Sequence, residues 1–115
     1  DLRPFYNALD LFVNTSQEEA CSISVLESLA CGCPVLGYAS KSVDGQILPG
    51  GGEIVEQDNI DALATALERW LTDAEGLHGR RAGAHAMAVD HFDIRKLAGE
   101  LWAEYESILG PSARK

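Results

Sequence analysis

The segment DLFVNTSQEEACSISVLESLACGCPVLGYA, residues 10–39, decides the fold. It opens on Leu11, Phe12 and Val13, an aliphatic and aromatic run that polar residues end at Thr15 and Ser16. Such a run predicts a buried strand over 10–16. A polar stretch holding Glu18 and Glu19 follows. Between residues 22 and 31, Ile23, Leu26, Leu29 and Ala30 recur at the spacing of one helical face. Gly32 is a stop signal, and Pro34 stands just beyond it. Residues 34–39 form a second apolar run and read as another strand. Glu27 interrupts this pattern. It lies among Val25, Leu26, Leu29 and Ala30, where a bare charge is costly to bury.

The alternation continues outward. Residues 2–8 predict a short helix with Pro4 near its start, where proline is tolerated. Residues 43–48 predict one helical turn. Gly50, Gly51 and Gly52 turn the chain into a third strand around 53–56. Asp58 or Asn59 caps a helix whose apolar stripe is Leu63, Ala66, Leu67, Trp70 and Leu71. Residues 73–91 form another helical stretch, weakened by Gly76, Gly79 and Gly83. Asp93 caps a last helix with the stripe Ile94, Leu97, Leu101, Trp102, Tyr105, Ile108 and Leu109. The helical period of Trp102 and Tyr105 predicts core packing for both. Strand, helix, strand, turn, strand, helix is the order of an α/β fold: a partial doubly wound, Rossmann-like parallel sheet of about three strands, with the C-terminal helices packed on it. Residues 1–110 read as one domain and 111–115 as a frayed tail. The chain opens on Asp1 in mid-pattern, which suggests a piece of something longer.

Composition narrows the function. The formal net charge is −9 over 115 residues. That balance repels phosphate backbones and argues against nucleic acid as a partner. The basic pair Arg80–Arg81 reads as a solvated helix face. A small anion remains a candidate ligand, because helix N-termini bind anions through backbone N–H groups whatever the net charge. The three cysteines, Cys21, Cys31 and Cys33, suit a reducing compartment better than a disulfide scaffold. Cys31 and Cys33 lack the further ligands that structural zinc requires, so no metal is expected. His78, His85 and His91 read as surface or half-buried structural residues. No apolar run is as long as a bilayer span.

In an open α/β sheet, ligands bind beyond the carboxyl ends of the strands, where loops enter helix N-termini. The loop SQEEACS, residues 16–22, occupies that place. The N–H groups of about Cys21 to Ser24 would start the helix without intrahelical acceptors, free to receive a phosphate or a sugar hydroxyl. Glu27 follows Ser22 by five residues, about 7.5 Å along the helix axis. Glu19 and Glu27 can therefore meet different parts of one elongated ligand. Carboxylates suit vicinal diols, since one ionised carboxylate accepts two O–H bonds. Spacing alone also allows Glu27 to lie on the solvated side of its helix.

The order of motifs is more specific than the glutamate pair. Ser16-x-x-Glu19, seven residues, Glu27, then Ala30-x-Gly32-x-Pro34-Val35 resembles the donor-binding half of family 4 (group 1) glycosyltransferases of the GT-B fold. YNALDLFVNTS resembles the tyrosine, small residue and aspartate that precede the family's strand. LPGGGEIVEQDNIDALATAL resembles its glycine turn, strand and following helix. The likeness runs over nearly the whole chain.

That resemblance implies roles by position. Glu19 would bind hydroxyls of the donor sugar as the catalytic-site carboxylate, and Glu27 the ribose hydroxyls of the nucleotide. Ser16, Ala20, Cys21, Ser22 and Ile23 would line the donor, with backbone N–H groups approaching the sugar and the diphosphate. The implied reaction moves a sugar from a nucleotide-sugar to a glycan or lipid-linked acceptor, with retention at the anomeric carbon and no cofactor or obligatory metal. The partners it implies are the nucleotide-sugar donor and an N-terminal acceptor domain of the same chain. The Arg and Lys that hold the diphosphate lie upstream in this family, outside these residues, so this chain alone is expected to be inactive. A strand missing beside residues 11–15 would leave a bare sheet edge, which favours self-association. The implied location is the cytoplasm, with the inner face of the membrane as an alternative station.

Two departures from the family pattern stand out. Ala20, Cys21 and Ser22 replace the usual glycine, aromatic and glycine, and Gln46 or Asp44 stands near the place of a glutamate after the second strand. Two other readings remain: a nucleotide-sugar epimerase of GT-B-like fold, and a non-catalytic interaction module anchored by Trp102 and Tyr105. The lack of a G-x-G-x-x-G motif opening a strand–helix unit argues against a dinucleotide oxidoreductase.

Overall fold

The computed structural model describes residues 1–40 and 43–110. The tail at 111–115, expected to fray, lies outside them. The elements run α1 (Arg3–Asn7), β1 (Phe12–Asn14), α2 (Ile23–Ala30), β2 (Val35–Tyr38), β3 (Gly52–Val55), α3 (Ile60–Thr72), α4 (Ala74–Phe92) and α5 (Ile94–Leu109). The three strands form one parallel sheet in the order β1-β2-β3. Phe12 stands opposite Val35, and Val35 opposite Gly52. The architecture is the expected α/β one, a three-stranded Rossmann-like sheet with helices packed on it.

Each junction has a local cause. α2 stops at Gly32, which adopts φ +70°, a left-handed conformation that favours glycine. The Cys33 N–H bonds the Ser28 carbonyl at 2.9 Å and the Gly32 N–H bonds the Leu29 carbonyl at 2.9 Å, a Schellman closure. The His85 ring meets the Ala30 carbonyl through Nδ1 at 2.7 Å, which occupies another helix-end acceptor. At Gly52 the backbone runs so close to β2 that an added Cβ would sit 1.8 Å from the Val35 carbonyl oxygen. Asn59, rather than Asp58, caps α3 by accepting the Ala62 N–H at 2.9 Å. Asp73 and Asp93 cap α4 and α5 in the same way.

The core gathers Val25 and Leu29 of α2, Val35 of β2, Val43 and Ile47 of the segment after β2, and Ala84, Met87 and Ala88 of α4. α2 therefore lies between the sheet and α4. Its buried face is Val25, Ser28 and Leu29, while Ile23 and Ala30 are exposed and Leu26 is half-buried. This corrects the single face drawn through Ile23, Leu26, Leu29 and Ala30. At 100° per residue, Ile23, Leu26, Glu27 and Ala30 make one stripe and Val25, Ser28 and Leu29 another. Glu27 belongs to the stripe that the core does not claim.

Three further expectations change. Arg80 and Arg81 are half-buried ties instead of a solvated face. The Arg80 guanidinium stacks 4.2 Å from the Trp70 ring centroid, and Arg81 donates to the Leu9 carbonyl at 2.6 Å. Leu71 leaves the α3 stripe and is exposed. The largest correction concerns α5, none of whose residues is buried. Trp102 is 57% exposed and Tyr105 52% exposed, so neither packs in the core. The helical period places them on one stripe, but nothing among the described residues covers that stripe.

Candidate functional site

β1 ends at Asn14, and the loop from Thr15 to Ser22 leads into α2. Two buried amides hold this loop. Asn14 accepts the Ser16 N–H at 2.9 Å through Oδ1 and donates to Ser22 Oγ at 3.4 Å through Nδ2, which ties the two ends of the loop together. Gln46, on the turn after β2, accepts the Ser22 N–H at 2.9 Å through Oε1. Its Nε2 donates to the Ser22 carbonyl at 3.2 Å and to Cys21 Sγ at 3.3 Å.

Glu19 is half-buried inside this frame. Hydrogen bonds from the Ser16 hydroxyl, and next from Ser22, hold its carboxyl below the usual carboxylate range. Ser22 Oγ accepts from Asn14 and lies 3.1 Å from Ser24 Oγ. The loop thus presents a carboxylate that is ionised at neutral pH. Asn14 brings Ser16 and Ser22 together on either side of Glu19, while Ala20 and Cys21 are exposed on the loop surface.

The start of α2 is partly open to a ligand. The N–H groups of Cys21, Ile23 and Ser24 have no acceptor among the described residues. Ser22 differs from expectation, because Gln46 already takes its N–H. Residues 15–22 contain no lysine or arginine, so the loop supplies donors and acids but no cation.

Glu27 lies a turn further on, half-buried, and Tyr6 of α1 donates to its Oε2 at 3.0 Å. Tyr6 is itself buried, and its ring stands edge-on to Phe5 and to Phe12. Burial first, and then the Glu27 carboxylate, push the Tyr6 hydroxyl above its ordinary range, so it remains a proton donor at neutral pH. Glu27 borders two cavities. One, of about 390 Å³, is lined by Leu2, Arg3, Tyr6, Ala30 and Cys31 as well. The other, of about 490 Å³, is lined by Ile23, Leu26, Val89 and Phe92 among others. One carboxylate oxygen is occupied by Tyr6 and lone pairs remain for a ligand hydroxyl. Tyr6, Asn14 and Gln46 are the site residues that sequence reasoning had not placed there. The family-like tyrosine before β1 and an amide where the family pattern has an acid were the available signals.

Cys33 is buried, which pushes its thiol up, while Cys31 is half-buried and Cys21 exposed. Among the described residues no group of three His, Cys, Asp or Glu side chains is gathered as a metal site would need.

Known proteins resemble this chain over most of its length. The family model for glycosyl transferases group 1 matches residues 1–85. The chain is 29% identical over 109 residues to the lipopolysaccharide core biosynthesis mannosyltransferase LpsB of Rhizobium meliloti (strain 1021), covering 91% of this chain and 31% of that protein. It is 28% identical over 115 residues to the D-inositol 3-phosphate glycosyltransferase of Mycobacterium marinum, covering 96% and 24% of the two chains. The chain therefore spans about a third of the length of these curated relatives or less. Among solved structures, Anabaena Alr3699/HepE in complex with UDP has the same fold at a TM-score of 0.80, with 21% identity over 90% of this chain and 29% of that one. Sucrose-phosphate synthase from Thermosynechococcus elongatus superposes at 0.83, with 24% identity over 94% of this chain and 27% of that one. The loop-and-helix frame around Glu19 and Glu27 thus sits in a matched stretch that covers most of the sequence, and the chain belongs to the group 1 glycosyl transferases.

Proposed function

We propose that this chain is the donor-binding portion of a retaining glycosyltransferase, which moves a sugar from a nucleotide-sugar to a glycan or lipid-linked acceptor. The observation that carries the reading is Glu27: a half-buried carboxylate on the non-core stripe of α2, held by Tyr6 and opening onto two cavities. Its one hydrogen-bond partner among the described residues is Tyr6, which leaves acceptor capacity on the side that faces the cavities. Here the ribose diol of a nucleotide supplies the matching donors.

In this reading Glu19 receives hydroxyls of the sugar, and Ser16 and Ser22 hold it there. The N–H groups of Cys21 and Ile23 face the diphosphate at the positive end of the α2 dipole, with Ala20 beside them. Ser22 contributes through its hydroxyl, since its N–H belongs to Gln46. Charge developing on the leaving diphosphate needs cations as well. The loop has none, and in the family that the chain resembles the Arg and Lys on the diphosphate come from upstream, so basic side chains from outside this chain complete the site. An acceptor-binding N-terminal domain in the same polypeptide is the partner this requires. Residues 1–110 then form the C-terminal part of the nucleotide-sugar domain, and the whole enzyme works in the cytoplasm or at the inner membrane face.

The UDP in the HepE complex supports a nucleoside diphosphate as ligand. The sugar is left unassigned, because the relatives differ in what they are named for: a mannosyltransferase in one case and a D-inositol 3-phosphate glycosyltransferase in the other. β1 has one strand neighbour among the described residues, and its free edge supports self-association of the chain when isolated.

The test is calorimetric titration with UDP, GDP and ADP. One of them is expected to bind, and Glu27→Ala is expected to weaken that affinity about tenfold with the circular dichroism spectrum unchanged, as for the loss of charge-assisted hydrogen bonds. Equal affinity in the variant would refute the assigned role of Glu27. Acceptor-dependent nucleotide release by this chain alone would refute the need for residues outside it.

A further inference from the structure

We propose that Gln46 is a positioning residue for the donor. Its side-chain amide clamps Ser22 and so decides which N–H groups at the start of α2 remain for the sugar diphosphate. The proposal rests on the donor-binding reading above and adds to it a residue that touches no ligand.

The geometry is that of a paired amide. One Gln46 side chain takes both backbone groups of Ser22, accepting its N–H at 2.9 Å and donating to its carbonyl at 3.2 Å. Nε2 also reaches Cys21 Sγ at 3.3 Å. Gln46 is 6% exposed and Ser22 2% exposed, so water does not compete for these bonds. The clamp is rigid at its root. Val43 and Ile47, on either side of Gln46, are buried in the core, and the Gln46 and Ile47 N–H groups both bond the Val43 carbonyl at 2.9 Å.

The chemistry selects an amide over an acid. Nε2 faces two acceptors, the Ser22 carbonyl and the Cys21 sulfur. A carboxylate in the same place could keep the Ser22 N–H, and the Cys21 thiol could turn its proton to it, but it would set an oxygen against the Ser22 carbonyl. An apolar side chain would leave the buried Ser22 N–H without a partner.

The consequence for a ligand follows from position. Ser22 is the N-cap of α2, with φ −84° and ψ 100°. Fixing both of its backbone groups fixes the peptide planes on either side, and these carry the Ser22 and Ile23 N–H groups. Ser22 is removed from the set of ligand donors, while Cys21 and Ile23 are left in it. Glu27 is held separately, by Tyr6 from α1. Gln46 therefore acts on the sugar-diphosphate end of a donor and leaves the nucleoside end alone.

This separation defines the test. The affinities of UDP-glucose, GDP-mannose and ADP-glucose, and of UMP, GMP and AMP, are measured for the unmodified protein, Gln46→Met and Gln46→Glu. For the base that binds, both variants are expected to lose about tenfold in nucleotide-sugar affinity and to keep nucleoside monophosphate affinity within about twofold, the size expected for an unsatisfied buried donor displacing the loop. A purely structural role would lower both affinities together or neither, and either result overturns the proposal. Amide hydrogen exchange on the unmodified protein is the second measurement and needs no variant to fold. The Ser22 amide is expected to be protected while Cys21 and Ile23 exchange rapidly, and those two are expected to become protected when nucleotide-sugar is added. Exchange of Ser22 as fast as its neighbours overturns the clamp. Failure of the unmodified protein to bind any of the six ligands overturns the donor-binding reading instead, and Ser22 protection still decides whether the clamp exists.

Discussion

Helices α2 and α5 carry apolar residues at the same period and meet opposite fates. In α2, Val25 and Leu29 are fully buried, enclosed by the sheet on one side and α4 on the other. In α5, Leu101, Trp102 and Ile108 stand exposed along a 16-residue helix with no buried side chain. The difference lies in what each helix follows. α2 crosses between two parallel neighbours, so the sheet itself must cover one face. α5 follows the last strand and two further helices, and no described element lies against its stripe. Periodicity says which residues share a face; the partner for that face is a separate fact.

The comparison predicts unequal costs for similar substitutions. Leu29→Ala removes atoms from a closed core and is expected to destabilise the chain by about 2–5 kcal/mol in urea unfolding. Leu101→Ala, on the exposed stripe of α5, is expected to cost no more than about 0.5 kcal/mol. A large loss from Leu101→Ala would mean that α5 is covered in solution and that the contrast between the helices is false.

A smaller effect is expected within α2, on its second stripe. Tyr6→Phe removes the hydroxyl that holds Glu27 while keeping the ring between Phe5 and Phe12. Nucleotide affinity is expected to fall about threefold, in keeping with one modest hydrogen bond of about 0.5–1.5 kcal/mol acting through the carboxylate. No change would separate Tyr6 from the site and leave it a core residue alone.

The smallest effect belongs to the start of α5. Asp93 pairs with the Arg95 guanidinium and also accepts the Arg95 backbone N–H, and these contacts lower its carboxyl to about 2. Because the folded value lies below the ordinary value of 3.8, the contribution is complete above about pH 4 and is lost as pH falls toward 2. Helical signal followed by circular dichroism should decline over that window, and Asp93→Ala should remove the part of the decline due to the cap. An unchanged profile in the variant would assign the acid sensitivity to other carboxylates, of which Glu19 and Glu53 are also held low.

Much of the fold was legible in the sequence because its signals are local. The apolar runs within 10–16 and 34–39, the Gly32 stop, and the caps at Asp58 or Asn59 and at Asp93 each depend on neighbours within a few residues, whereas the Asp73 cap of α4 went unread. The two faces of α2 were not separable by spacing alone, since Leu26 and Leu29 each sit three or four residues from apolar partners. The candidate site divides in the same way. Glu19 and Glu27 were singled out by motif order, with Ser16 and Ser22 near Glu19 on the same loop. Their wider supports come from far along the chain: Tyr6 lies 21 residues from Glu27, and Gln46 lies 24 residues from Ser22. Only the folded chain brings those groups within hydrogen-bonding distance.

The position of Glu27 against a bound nucleotide tests the central claim most directly. A crystal structure of this chain soaked with UDP, GDP or ADP, whichever binds in titration, should place a Glu27 oxygen within about 3 Å of a ribose hydroxyl, with the diphosphate beyond the first turn of α2. A bound nucleotide lying elsewhere, with Glu27 bonded to Tyr6 alone, would contradict it.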